Sequence, residues 1–193
     1  MILLDPELEP DSRPHPKAAS PVTAWTRSAL SWFERLPTSR TLARFLAKAQ
    51  SAIPLRGQVT VLLTTDAAMR DLNRRFRHKN KPTDVLSFPA TQLQNAKPAE
   101  RVAGDLAISV ETARRQAAEQ GHALTCELQI LILHGLLHLA GYDHESDTGQ
   151  MHGRERRLRA QLRLPQGLIE RAASSTPSER TRKVGARAKA RKP

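Results

Sequence analysis

Eleven consecutive residues restrict this chain more than any others: His134-Gly135-Leu136-Leu137-His138-Leu139-Ala140-Gly141-Tyr142-Asp143-His144. They hold three of its seven histidines. The first two stand four apart, and in a helix residues i and i+4 share a face. His134 and His138 therefore project together. They close an apolar run, Ile130 to Leu133 with Leu136, Leu137 and Leu139, in which unpartnered imidazoles would be costly. Gly141 stands where a helix can end on a left-handed residue without strain. The chain then reverses and brings His144 back toward the pair. Three neutral imidazoles aimed at one point are the protein side of an open zinc site, with a fourth position left for water. Such a site makes water acidic enough to act as a nucleophile near neutral pH. The expected ligands of one Zn2+ ion are His134, His138 and His144.

The spacing His-x3-His-x5-His is also that of metzincin peptidases, which carry a glutamate base directly after the first histidine. Here that position is Gly135. A hydrogen atom cannot accept a proton, so peptide hydrolysis is the weaker expectation. Cys126 lies on the same apolar helix and reads as a small buried hydrophobe, since three histidines already fill the protein positions. As the sole cysteine it excludes an internal disulfide framework.

The 193 residues carry a formal charge of +12 and a pI near 11.0, a balance that attracts polyanions, above all nucleic acid. Part of the excess sits in residues 171–193, where eight lysines and arginines face the single acid Glu179. That stretch has almost no large apolar residue, so residues 166–193 are expected to be a disordered basic tail behind one catalytic domain, residues 1–165. No run of about eighteen apolar residues occurs, so no membrane span is expected. The first residues lack the charged flank and apolar centre of a secretory signal, which makes the cytoplasm the expected location.

The rest of the chain reads as short strands among helices. Residues 1–8 suit a short strand, and Pro-rich residues 9–21 a linker. Residues 22–36 and 40–53 carry apolar residues at helical spacing and predict two core-facing helices. Gln58–Thr64, Asp84–Phe88 and Gly104–Ser109 predict strands. A helix from Asp66, as N-cap, to Phe76 lies between the first two. Residues 91–102 read as a polar loop. Helices of about 110–119 and 125–139 follow, separated by Gly121. Asp147-x-x-Gln150 resembles a capping box opening a last helix that ends near Leu164. The sum is an α+β domain with about four short strands in a mixed sheet and five to six helices.

A second constellation occupies residues 70–81, in which six of twelve residues are Lys or Arg. Arg70, Arg74 and Arg75 read as a solvated helix face. Arg77 and Lys79 fall where the helix gives way to a loop, the kind of segment that carries function. An arginine there can grip a phosphate with two parallel hydrogen bonds.

The succession Leu72-Asn73-x-x-Phe76-Arg77, Pro82-Thr83-Asp84-Val85-Leu86-Ser87-Phe88-Pro89, Gly104-Asp105-Leu106-Ala107-Ile108-Ser109 and the histidine segment resembles the YbeY family of bacterial rRNA maturation factors. The likeness spans roughly residues 58–162, with residues 1–8 as a first strand; residues 9–50 and the tail lie outside it. It implies a zinc-dependent, single-strand-specific endoribonuclease of the cytoplasm. It implies action at the 3′ end of small-subunit rRNA and in ribosome quality control, with single-stranded or ribosomal RNA, the ribosome and its proteins as partners. It implies a four-stranded α+β domain and a conserved arginine that matches Arg77. On this reading Arg77 and His134 are catalytic, Arg77 and Lys79 hold RNA phosphate, and Asp143 orients a histidine or braces its turn. Two other classes stand beside it: a zinc peptidase, disfavoured by Gly135, and a ribosome assembly factor whose zinc is structural. A structural zinc would need a fourth protein ligand, for which Asp143 and Glu145 are the nearby candidates.

Overall fold

The computed structural model describes residues 1–8, 36–91, 101–144 and 146–165. The expected helix over 22–36, the Pro-rich stretch 9–21, most of the loop 91–102, Glu145 and the tail lie outside the described residues. Among those described, strands β1 (Ile2–Leu4), β2 (Gln58–Thr64), β3 (Val85–Pro89) and β4 (Val102–Ser109) form one sheet in the order β1-β2-β4-β3. β1, β2 and β4 run parallel, and β3 pairs antiparallel with β4 at the edge. Among the described residues five α-helices surround it: α1 (Ser39–Ser51), α2 (Asp66–Arg77), α3 (Val110–Gln120), α4 (Leu124–Leu139) and α5 (Gln150–Leu162). The mixed α+β class expected from the pattern is the one observed.

Helix α4 is the centre of the molecule. Twelve of its sixteen residues are buried, on every face, which is why its sequence is apolar all round instead of striped. No single helix among the described residues is long and apolar enough to cross a membrane. The one buried acid of α4, Glu127, meets the His122 ring at 2.6 Å. Around α4 lie α1, α5 and one face of the sheet. Helix α1 contributes Leu42, Phe45, Leu46 and Ala49, an i, i+3, i+4, i+7 set. Side chains alternate across a strand. Leu106 accordingly faces α4, while Ala107 joins Met69 of α2 and Leu86 of β3 in a small cluster on the other face.

Two glycines set how closely these layers approach. A Cβ on Gly135 would lie 2.7 Å from a methyl of Leu106, so α4 rests on β4 only because nothing projects there. Gly104 (φ +145°) sits where a Cβ would meet the Phe88 carbonyl at 2.4 Å and Leu139 at 2.7 Å. Only glycine adopts that backbone readily.

Local signals differ from expectation in four places. The N-cap of α2 is Thr65, whose hydroxyl accepts the Ala68 N–H. Asp66 is the first helical residue, and its carboxylate is pinned by Ser109, Thr112 and Arg115. Burial raises its pKa, but these donors outweigh that and hold it below the ordinary value. At α5 there is no capping box. Gly149 (φ +91°) precedes the helix, and Asp147 reaches forward to the N–H groups of Gly149, Gln150 and Met151 at 2.7, 3.0 and 2.8 Å. That helix stops at Leu162 because Arg163 turns left-handed. Cys126 is half-buried, not buried.

Candidate active site

The buried helix does what the i, i+4 spacing requires. His134 and His138 leave the C-terminal half of α4 side by side, with their Nε2 atoms 3.2 Å apart. Tetrahedral ligands about 2.0–2.1 Å from a zinc ion stand roughly 3.3 Å from one another, so the pair is spaced for a shared ion. Gly141 (φ +89°) reverses the chain one residue after the helix closes. His144 then returns to 5.3 Å from both rings, centre to centre. One ligand atom from each of the three lies within 4.8 Å of the others. The donor set is three imidazoles, which suits zinc better than a hard cation.

Depth grades across the site. His134 is buried, His138 half-buried and His144 exposed. Burial holds the His138 imidazole down at about 4, helped by the rings of His134 and His144 and by Arg77, and opposed by Asp143. At neutral pH the ring is uncharged and its lone pair is free to bind a metal.

All the sequence-expected residues face one cleft of about 850 Å³. His134, His138, Asp143 and His144 form one side, and Arg77, Lys79 and Lys81 line it with them. The cationic loop is fixed from beneath by Asn73, a buried residue of α2. Its carbonyl receives the N–H groups of His78 and Lys79, and its side-chain amide donates to the Lys81 carbonyl at 2.7 Å. His78 takes a left-handed conformation (φ +58°) to end the helix there. Arg70, Arg74 and Arg75 are exposed; Arg74 pairs with Asp71, and Arg70 Nε donates to the Asn80 side-chain oxygen at 2.7 Å.

Asp143 braces the turn. Its carbonyl accepts the N–H groups of Ser146 and Asp147, and its carboxylate accepts the Ser146 hydroxyl at 2.8 Å. Its charge also acts on His138, and a second carboxylate faces His134 from behind. Glu155 on α5 is 1% exposed, and its Oε1 stands 3.6 Å from Nδ1 of His134. Sequence reasoning passes over this residue, although a signal is present. Met151, Glu155, Leu158 and Leu162 follow the spacing of a buried stripe, with an acid in the middle.

Fold and site together define the class: a small α+β protein with three histidines able to hold a metal ion in a cleft lined by both cations (Arg77, Lys79, Lys81) and carboxylates (Asp84, Glu119, Asp143). Within that class the family is specific. The model of the family described as endoribonuclease YbeY matches residues 31–163, and the chain belongs to that family. The match begins before α1, a helix that the motif blocks leave out. The endoribonuclease YbeY of Koribacter versatilis is 49% identical over 146 residues, covering 76% of this chain and 91% of its own. That of Solibacter usitatus is 46% identical over 145 residues, covering 74% and 93%. Among solved structures, TM1509 from Thermotoga maritima is 26% identical, with a TM-score of 0.45, over 76% of this chain and 96% of that one.

Proposed function

We propose that this chain is a zinc-dependent, single-strand-specific endoribonuclease of the cytoplasm. In this reading it matures ribosomal RNA at the 3′ end of the small-subunit species and takes part in ribosome quality control. The observation that carries the reading is the meeting, in one cleft, of three convergent imidazoles with the cations Arg77, Lys79 and Lys81. His134, His138 and His144 hold the ion. When bound, zinc supplies Lewis acidity and an acidified water. Arg77 and Lys79 grip the phosphodiester, and Arg77 offers a planar fork to the nonbridging oxygens as charge grows there. Asn73 keeps the cationic loop in place, and Asp143 keeps the turn that presents His144.

Two structural facts speak against the competing classes. The position where a metzincin keeps its base points into Leu106, away from the cleft, so a glutamate there would be buried in the core. Among the described residues, the group arranged for a metal is three histidines and does not include Asp143; a structural zinc is normally closed by a fourth protein ligand. The test is digestion of single-stranded and duplex RNA of the same sequence by zinc-loaded protein, with His134→Ala alongside. Cleavage of the single strand alone, lost in the variant, is expected. Equal cleavage by wild type and variant would overturn the reading, and so would tight zinc binding with no cleavage of any RNA.

A further inference from the structure

The buried pair formed by His134 and Glu155 has no role in the chemistry described so far, and its geometry is specific. We propose that Glu155 is a positioning residue whose carboxylate takes the Nδ1–H of His134 and so commits Nε2 of that ring to the metal. The inference rests on the zinc reading above.

An imidazole has two nitrogens, and in the neutral ring only one carries the proton. Nε2 of His134 faces Nε2 of His138 at 3.2 Å, so Nε2 is the atom turned toward the site. Nδ1 is turned away from it, into the protein. For Nε2 to offer a lone pair, Nδ1 must carry the hydrogen, and a buried N–H needs an acceptor. Glu155 Oε1 stands on that side, 3.6 Å away. Both atoms are fully buried, and neither has a hydrogen-bond partner among the described residues. A carboxylate oxygen left so in an apolar stripe is costly unless something uses it. The separation exceeds an ordinary N–H···O bond by roughly 0.6 Å, a gap that a small rotation of either side chain closes.

The surroundings make the contact directional. Met151 and Leu158 lock α5 into the core on either side of Glu155. The carboxylate therefore stands behind the ring and does not line the cleft. That placement gives it no access to a substrate and separates it from the role of a general base. It also explains why α5 belongs to the site at all: the helix carries no metal-site histidine, yet it supplies the acceptor for the most deeply buried one. Carboxylate–histidine–metal triads tune a site in this way, and loss of the carboxylate weakens metal binding by about 10–100-fold.

The full-length protein with Glu155→Gln and with Glu155→Leu tests this without RNA. Zinc affinity is measured by competition with a chelator, and ring tautomers by ¹⁵N chemical shifts of the histidines in metal-free protein. The wild type should show His134 as the Nδ1–H form. The leucine variant should bind zinc about 10–100-fold more weakly and lose that tautomer preference. The glutamine variant, which keeps an oxygen acceptor in the same volume, should fall between them and carries the test if the leucine variant does not fold. A merely structural Glu155 would lower the melting temperature of both variants while leaving zinc affinity and the His134 tautomer unchanged in the folded protein, and that result overturns the proposal. Failure of the wild type to bind zinc would overturn the functional reading and this inference together. Zinc binding that ignores residue 155 would overturn this inference alone.

Discussion

The two sides of the cleft are built by opposite means. The histidine side grows from α4, a helix buried on every face, and two of its three rings emerge from packed apolar surroundings. The cationic side grows from the exposed end of α2 and is held by hydrogen bonds, to the buried Asn73 and from the exposed Arg70 to Asn80. Packing fixes positions to fractions of an ångström, as a metal requires. A polyanionic chain needs charge and reach more than rigidity. The molecule sets the packed device and the hydrogen-bonded one against the same cleft.

The largest effect separates the sides outright. His138→Ala should abolish stoichiometric zinc and reduce RNA cleavage to background; elemental analysis beside a cleavage assay reads both. Arg77→Ala should cost about 10²–10³-fold in turnover, as for other donors aimed at developing charge. Its melting temperature should stay near that of the wild type, and Arg77→Lys should recover little because the fork is lost. Should Arg77→Ala instead unfold the protein, the cationic side is structural and the comparison collapses.

A third substitution attacks the rigid side. Gly135→Glu restores the residue a metzincin would carry, yet it drives a charged side chain into Leu106. Thermal or denaturant unfolding should show a loss of about 3 kcal/mol or more, with no peptidase activity gained. Acid sharpens the contrast further. His138 titrates near 4 in the metal-free fold against an ordinary 6.5. Between those values the unfolded chain takes a proton that the folded chain refuses, so stability falls as the pH drops from about 6.5 toward 4. The melting temperature of metal-free protein should decline through that window, and less steeply in His138→Gln. The smallest effect is expected from the tail. Removing residues 174–193, with seven basic side chains against one acid, should flatten the salt dependence of RNA binding and leave turnover at saturating RNA unchanged.

The rigid side was also the easier one to read from sequence. An apolar helix, an i, i+4 pair and a glycine reversal are local patterns, and the three rings meet as those patterns require. The strands β2, β3 and β4 were legible to within two residues for the same reason. What stayed hidden depends on residues far apart in the chain. Nothing in residues 70–81 says that the loop folds over the histidines; the antiparallel pairing of β3 with β4 does that. Glu155 carries no sequence signal of its own beyond the buried stripe of α5, and only the packing of that helix brings it to His134. Asp66 looked like a cap because Asp favours caps, but Thr65 took the role once Ser109, Thr112 and Arg115 claimed the carboxylate. Short-range signals also compete: Asp147 caps α5 from two residues before the N-cap because Gly149 takes the left-handed turn.

Gly104 gives the cleft its gauge. At that position β3, which borders the cationic side, and Leu139, which ends the helix of the histidine side, close on the same empty spot. The spacing between the two sides is thus set by a missing carbon. Any side chain there acts as a shim, pushing the edge strand off the end of α4 and moving one side of the cleft relative to the other. Such a change would alter none of the residues proposed to touch metal or RNA. On the proposed reading, the register of an RNA strand against the ion would be tied to the thickness of one peptide in the middle of the sheet.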